Sequence, residues 1–325
     1  MLHLFNVSVY STHIDLFAGD WKAVAAFAAQ QGFDGIELLI GVDPLPDLPS
    51  GLVCGVHLPY WIRWIEIWRD GPAAAIPADE RAFLAGGARD AADMVALQHE
   101  WWQRAARLQA QYAVFHVSHV TMAETFTRYY SFSAEEVVSA AIELLNATAA
   151  SFPHGEPPVR LWLENLWWPG LTFTDPDLAD RFVAELRFTN WAFVLDTGHL
   201  INSDPSVTDE EVAIDLVLAR IAALPSRVRE RIEGIHLNLS LSGAYQRAAQ
   251  AAGLPDRFAA LPVAEQFALA RDHVAQIDQH RPFTSPRCRE IVAATRPRVV
   301  VHELLARTRA ELEQSLRLQC RALDR

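Results

Sequence analysis

Short apolar runs alternate with amphipathic stretches along almost the whole chain. Each apolar run is typical of a strand that is buried on both faces, as strands are in parallel sheets. The clearest run, 191–196, ends abruptly at Asp196, and His199 follows three residues later. The pattern predicts eight strands, at 4–10, 33–40, 52–57, 112–117, 159–164, 191–196, 234–239 and 298–303.

Helical periodicity fills the intervals between these strands. The segment 20–31 begins at a helix-capping residue, Asp20, and stops at Gly32, while Ser133 and Glu136 have the spacing of a capping box. Further helices are predicted at 88–110, 174–187, 206–224 and 304–323. Eight strands alternating with helices predict a single α/β domain over residues 1–325, a parallel (β/α)8 TIM barrel.

Two features refine this fold prediction. A doubly wound open sheet is the main alternative, and the absence of a G-x-G-x-x-G motif after the first strand makes it less favoured. The segment 240–276 has a helical pattern interrupted at Gly253. It is predicted to be a helical insertion between strands seven and eight, acting as a lid over the barrel mouth or as the contact of a homodimer.

Composition narrows the class of protein. The 325 residues are 51% hydrophobic and 21% charged, which is ordinary for a soluble enzyme. A net charge of −12 argues against general nucleic-acid binding and leaves a small-molecule substrate as the expected partner. Cys54, Cys288 and Cys320 form no C-x-x-C pair, and no signal peptide or membrane span is recognised. A cytoplasmic location with no membrane partner is therefore expected.

Carboxylates and imidazoles follow the predicted strands at the points where the strands end. In a parallel barrel all strands direct their carboxyl ends to the same rim, so these side chains should converge. Such groups repel one another or stay unsatisfied unless a cation neutralises them, and their mixture suits Zn, Mn or Fe. The residues are Glu37, His57, His116, Glu164, Asp196, His199, His236 and Glu303, with Asp278 and His280 forming a D-x-H before the last strand.

With these motifs the chain resembles the xylose isomerase-like barrels, and within them the endonuclease IV branch. The sugar isomerases and epimerases of this superfamily bind one divalent metal, and the resemblance assigns their four ligands to Glu164, Asp196, His236 and Glu303. Endonuclease IV-type enzymes hold three metals with additional ligands, which match His57, His116, His199, Asp278 and His280. The resemblance thus implies two or three divalent ions per chain. His119 is an alternative to His116 at the strand-four position.

Three functional hypotheses follow. The leading one is a metal-dependent hydrolase that acts on a small phosphoester or sugar-like substrate, with Glu164 as the bridging carboxylate implied by the resemblance. The second is a one-metal sugar isomerase or epimerase in which Glu164 and Glu303 move a proton between adjacent carbons. The third is a metal-bound barrel without catalytic activity. In the first two, Glu164 and Glu303 are the candidate catalytic residues.

Other side chains are candidates for contacts with the substrate. Glu37, His119, Trp167 and Trp168 are predicted to bind substrate because they follow or end strands at the catalytic rim. A stripe of tryptophans, Trp61, Trp64 and Trp68, is interpreted either as packing of a short helix or as a wall of the pocket. His302 should point away from the site, because it alternates with Glu303 along its strand.

Overall fold

The computed structural model describes residues 1–41, 44–60, 63–71, 76–78, 80–81 and 85–325. Its strands are parallel and close into a barrel in which each pairs with the next and the last pairs with the first. This confirms the (β/α)8 barrel and rules out the open doubly wound sheet. The strands are β1 Leu2–Ser8, β2 Gly35–Leu39, β3 Val53–His57, β4 Tyr112–His116, β5 Arg160–Glu164, β6 Trp191–Asp196, β7 Ile232–His236 and β8 Val299–His302.

Helices surround the barrel and fill the connections between its strands. Across the described ranges they are α1 Ser11–Ile14, α2 Trp21–Gln31, α3 Ile65–Asp70, α4 Ala91–Arg107, α5 Met122–Thr127, α6 Ala134–Ala150, α7 Pro176–Glu185, α8 Thr197–Asn202, α9 Glu210–Ala223, α10 Ser226–Arg229, α11 Gly243–Ala252, α12 Val263–Ile277, α13 Cys288–Thr295 and α14 Arg309–Ala322. No helix among the described residues is both long and apolar enough to cross a membrane.

Side chains at the helix ends explain where several helices begin and stop. Asp20 accepts a hydrogen bond from the backbone N–H of Lys22, and Gly32 ends α2 in the left-handed conformation with a φ of 75°. Ser133 and Glu136 form the reciprocal hydrogen bonds of a capping box at the start of α6. These three capping positions agree with the sequence predictions.

Two predicted helices begin later than their apolar patterns suggest. The helix predicted from residue 206 begins at Glu210 after the cap Asp209, and the one predicted from residue 304 begins at Arg309 after the cap Thr308. Leu304 is buried ahead of the second helix without helical backbone. Buried apolar residues ahead of a helix continue its apolar pattern, and the predicted start was therefore placed several residues too early.

The barrel interior is divided into an apolar base and a polar top. Tyr112, Val114, Trp162 and Val194 belong to a buried cluster of strand residues that fills the interior. A much larger apolar cluster lies between the strands and the surrounding helices. Because both faces of the strands are buried, the polar groups at the carboxyl ends are held by a closely packed barrel.

The segment between β7 and β8 leaves the barrel and returns to it at one point. The backbone N–H of Leu239 donates to the carbonyl of Arg281 at 2.7 Å, and the reverse hydrogen bond is 3.0 Å long. Between them lie α11, a short 3-10 turn and α12. Phe258 of that turn packs edge-on against Phe126 of α5, with ring centroids 5.4 Å apart. The insertion thus lies beside the loop that follows β4.

The tryptophan stripe packs against the barrel where the structure describes it. Trp64 is buried and its indole N–H donates to the carbonyl of Ser118 at 2.8 Å, while Trp68 donates to Glu143 at 3.0 Å. Trp61 lies outside the described residues. For Trp64 and Trp68 the packing interpretation therefore holds.

Candidate metal centre

The predicted ligands meet at the carboxyl end of the barrel. Three groups of side chains each bring their ligand atoms within 4.8 Å of one another. At least one member of each group lines a cavity of about 320 Å³, which lies between the ligands and residues of β1 and α1. The groups are His57, His116 and Glu164; His199, Asp278 and His280; and Glu164, Asp196, His236 and Glu303.

The register of the strands places neighbouring ligands side by side. His116 is paired with Glu164 across β4 and β5, and Asp196 is paired with His236 across β6 and β7. In parallel strands, paired residues direct their side chains to the same face of the sheet. The barrel therefore dictates the short distance between Nε2 of His116 and Oε2 of Glu164, which is 2.9 Å.

Helix capping explains the spacing between Asp196 and His199. Asp196 is the N-cap of α8, and its Oδ1 accepts the backbone N–H of His199 at 2.6 Å. Its Oδ2 accepts the side-chain amide of Asn238 at 2.7 Å. Both carboxylate oxygens are thus held in place, and the first turn of the helix brings the imidazole of His199 over the same cavity.

Three of the histidines are oriented by backbone carbonyls. In each of them Nδ1 lies within hydrogen-bond distance of a carbonyl oxygen, so that Nδ1 donates its proton and Nε2 is left as a lone-pair donor facing the ligand groups. In this tautomer Nε2 is free to bind a metal ion. The pairs are His57 with Leu58 at 3.0 Å, His199 with Asn165 at 2.8 Å, and His280 with Glu303 at 3.1 Å.

Several buried ligand atoms have no hydrogen-bond partner, as expected for atoms that bind a cation. Oε2 of Glu164 and Nε2 of His116 are 2.9 Å apart, yet neither has a hydrogen-bond partner. Oε2 of Glu303 is also buried without a hydrogen bond, 2.9 Å from Nδ1 of His236. Buried polar atoms are rarely left without partners, and these atoms converge from different strands. The donor set of imidazoles and carboxylates fits Zn, Mn or Fe.

The charges of the cluster perturb one another strongly. Burial raises the pKa of Asp196 to about 7, opposed by His199 and reinforced by Glu303 and Glu164. Burial would also raise the pKa of Glu164, but the adjacent His236 and His116 hold it well below its usual range. Carboxylates that are crowded to this extent favour a neighbouring positive charge, which a divalent cation supplies.

The wall opposite the ligands comes from β1 and α1 and was missed by the sequence analysis. It carries uncharged polar side chains, and among the described residues that line the cavity there is no lysine or arginine. Ser8 is 1% exposed, and its hydroxyl has no hydrogen-bond partner. The end of β1 was the available signal, since the same strand-end rule applies to it. The wall residues are Asn6, Ser8, Tyr10, Thr12 and His13.

His119, predicted to bind substrate, lies away from the cavity. Its Nδ1 faces the backbone N–H groups of Trp64 and Ile65 at 3.3 and 3.4 Å, and its Nε2 is 3.5 Å from Oε2 of Glu66. His119 is buried under the start of α3 and does not line the cavity. The chain turns after β4, so His116 occupies the strand-four position and His119 points to the outer layer.

Of the other predicted substrate contacts, Glu37 lines the cavity, whereas Trp167 and Trp168 do not. Glu37 lines the cavity, but its Oε2 lies 2.8 Å from the hydroxyl of Tyr112 and 3.2 Å from Nε2 of His236, below the ligands. Trp167 and Trp168 are 6% and 4% exposed and do not line the cavity. Trp167 instead packs against the ring of His199, with centroids 5.1 Å apart.

His302 lies on the opposite side of β8, as predicted. Its Nε2 is 3.1 Å from Nδ1 of His3, and its Nδ1 is 3.1 Å from the side-chain amide nitrogen of Gln319. The ring is fully buried among the strands and α14. Its hydrogen bonds therefore join the outer face of the barrel to the last helix.

Comparison with known proteins identifies the fold. No family model matches the chain, and no curated protein is similar in sequence. Endonuclease IV from Thermus thermophilus is similar in structure, with a TM-score of 0.55 and 17% identity over 100% of this chain and 99% of that chain.

Two further solved structures have the same architecture. The IOLI protein with a binding zinc atom gives a TM-score of 0.53 at 13% identity over 99% of this chain and 96% of that one. L-ribulose 3-epimerase gives a TM-score of 0.51 at 12% identity over 98% of this chain and 91% of that one. These three structures thus share the barrel fold that the resemblance implied for this chain.

Proposed function

We propose that this chain is a divalent-metal-dependent enzyme with a multinuclear site that hydrolyses a small phosphoester or sugar-like substrate. The observation that carries the proposal is the position of Glu164, which belongs to two of the three ligand groups. Its Oε2 lies 2.9 Å from Nε2 of His116, and its Oε1 lies 3.0 Å from Nδ1 of His236. A carboxylate that directs one oxygen to each of two groups is suited to bridge two cations.

Each residue has a distinct role in this proposal. Bound cations would supply Lewis acidity for a phosphoryl oxygen and for water. Glu164 is fully buried and holds the two groups at a fixed separation, while Glu303 has a side chain 12% exposed at the edge of the cavity. Glu303 is therefore the carboxylate that can contact substrate and exchange a proton with it.

The cavity supports a small substrate. A volume of about 320 Å³ is at the lower end of ligand pockets in proteins. Uncharged groups from β1 and α1 face the ligands, so hydroxyl and amide contacts are available to a hydroxylated substrate. The net charge of −12 and the uncharged wall make a nucleic-acid substrate the less favoured alternative, despite the similarity in fold to an endonuclease IV.

One observation favours a second candidate, a one-metal sugar isomerase or epimerase. Four residues from four different strands, Glu164, Asp196, His236 and Glu303, form a complete ligand group by themselves. Glu164 and Glu303 would then transfer a proton between adjacent carbons, and the remaining histidines would contact substrate. The similarity to L-ribulose 3-epimerase in fold is compatible with this alternative.

Metal content per chain distinguishes the two candidates. The protein would be purified without chelator and analysed for Zn, Mn and Fe, together with His57→Ala, His280→Ala and a control, His154→Ala, whose side chain is exposed. The proposal predicts two or three equivalents in the wild type and about one fewer in each of the first two variants. One equivalent in all four proteins would overturn it.

Turnover assays complete the test. Hydrolysis of bis(p-nitrophenyl) phosphate should follow metal loading and fall in both ligand variants. If instead those variants keep activity on a keto-sugar while Glu303→Gln abolishes it, the isomerase candidate is correct. Failure of metal-loaded protein to turn over either substrate class would favour the third hypothesis, a metal-bound barrel without catalysis.

A further inference from the structure

His236 is anchored differently from the other anchored histidines of the centre. Its Nε2 lies 3.2 Å from Oε2 of Glu37, whereas His57, His199 and His280 use Nδ1 and a backbone carbonyl. Its Nδ1 faces the cluster, 3.0 Å from Oε1 of Glu164 and 2.9 Å from Oε2 of Glu303. His236 therefore presents the opposite ring nitrogen to the ligand group.

A carboxylate partner fixes the position of the proton on this ring. A carboxylate oxygen accepts hydrogen bonds, so Oε2 of Glu37 favours the tautomer of His236 in which Nε2 is the donor. Nδ1 is then the nitrogen whose lone pair becomes available when a cation displaces its proton. Glu37 and His236 are 1% and 0% exposed, which excludes bulk water as a competing partner for Nε2.

Tyr112 holds Glu37 in place from below. Its hydroxyl donates to the same Oε2 of Glu37 at 2.8 Å. The ring of Tyr112 stacks on Trp162, with centroids 3.5 Å apart, and occupies the space beside Gly55. A Cβ at position 55 would come within 2.1 Å of the Tyr112 ring, so glycine is required for this arrangement.

We propose that Glu37 and Tyr112 are positioning residues, which keep His236 protonated at Nε2 and direct its Nδ1 to a divalent cation. The inference rests on the metal centre of the proposed function and adds two residues that are not among its ligands. Outer carboxylates of this kind strengthen metal binding roughly 10- to 100-fold in other metalloproteins. Tyr112, in the apolar base of the barrel, would thus influence through Glu37 how His236 binds a cation at the polar top.

The test compares Tyr112→Phe, Glu37→Gln and Glu37→Asp with wild type. Tyr112→Phe keeps the ring that stacks on Trp162 and removes only the hydroxyl. The matched control is Tyr245→Phe, which removes a hydroxyl lying 2.8 Å from Nδ1 of His273, a histidine of the insertion that belongs to none of the ligand groups. Zinc affinity is measured by competition with a chromogenic chelator. Ring nitrogen signals of His236 are measured by ¹⁵N NMR on the zinc-loaded protein and assigned with His236→Gln.

The expected results are specific to the proposed roles. Wild type should show a slowly exchanging Nε2–H signal for His236. Glu37→Gln should weaken zinc binding by about 100-fold and Tyr112→Phe by about tenfold, each with an altered Nε2–H signal, and Glu37→Asp should restore part of the affinity. Tyr245→Phe should match wild type in both measurements.

Two outcomes would overturn the inference. One is wild-type zinc affinity in both Tyr112→Phe and Glu37→Gln; the other is weakened binding with an unchanged Nε2–H signal, which would indicate a merely structural role. If Glu37→Gln does not fold, Tyr112→Phe decides alone. Those two outcomes would leave the proposed function intact, whereas failure of wild type itself to bind zinc, manganese or iron would overturn the proposed function and this inference together.

Discussion

Oδ2 of Asp278 lies 2.6 Å from Nε2 of His280, and both residues stand where the insertion returns to the barrel. Asp278 is the C-cap of α12, and His280 adopts the left-handed conformation with a φ of 45°. The paired backbones of Leu239 and Arg281 close the insertion at its base. The length of the insertion therefore does not affect where these two ligands are delivered.

The dual position of Glu164 leads to a prediction about metal stoichiometry. Because Glu164 belongs to two ligand groups and Glu303 to one, Glu164→Ala should lower metal content by about two equivalents and Glu303→Ala by about one. Elemental analysis of the purified variants measures this. Glu211→Ala, at an exposed position, serves as the control. Equal losses in the two site variants would contradict the bridging role of Glu164.

The ligands that stand at the ends of strands were the part of the metal centre that could be predicted from the sequence. Apolar runs that end in Glu, Asp or His are visible without a structure, and parallel strands must bring such ends together. The nine predicted ligands accordingly fall into the three groups. Asp278 and His280 end no strand, and their assignment as ligands followed from the resemblance to endonuclease IV-type enzymes.

Other features of the site could not be predicted, because they depend on the direction of a loop or on residues without a distinctive sequence pattern. His116 and His119 are three residues apart, and only the turn after β4 decides which one faces the cavity. Ser8 ends β1, but a serine at a strand end is not specific for a functional site, so it was not predicted. Glu37 lies in the middle of β2, its partner Tyr112 belongs to β4, and no local sequence pattern connects the two.

Removal of metal should destabilise the protein. Without a cation, Glu164, Asp196 and Glu303 crowd their negative charges within one buried group. A ligand present at 1,000 times its dissociation constant stabilises a folded protein by about 4 kcal/mol per site. Calorimetry should show a melting temperature lowered by at least about 5 °C after chelation and restored by zinc. An unchanged melting temperature would contradict metal binding at this cluster.

Loss of an aromatic contact should loosen the insertion selectively. Phe258 is 2% exposed and packs on Phe126 of α5, and burial of such a side chain is worth about 3 kcal/mol or more. Phe258→Ala should therefore increase hydrogen exchange in α11 and α12 while the barrel strands stay protected. Mass spectrometry of peptides from both regions measures the difference. Val212→Ala, at an exposed position, should change neither, and unaltered exchange in the insertion of Phe258→Ala would refute the anchoring role.

His119 should make the stability of the protein sensitive to acid. Burial lowers the pKa of His119 to about 4, against an unfolded value of 6.5, despite the opposing charge of Glu66. The folded state thus holds the neutral ring, whose Nδ1 accepts from the N–H groups that begin α3. Its contribution to the free energy of unfolding is complete above pH 6.5 and is lost as pH falls towards 4, by at most about 3 kcal/mol.

A variant that keeps the acceptor but cannot titrate isolates this contribution. In His119→Asn the side-chain oxygen can accept the same N–H groups, so its stability near pH 7 should be close to that of wild type. Between pH 6.5 and pH 4 the wild type should lose up to about 3 kcal/mol more than the variant in urea unfolding. The ligands of the metal centre titrate in both proteins, so their effect cancels in the comparison. If the free energy of unfolding changes with pH equally in the two proteins, the His119 ring is not held neutral, which would contradict its burial in the outer layer.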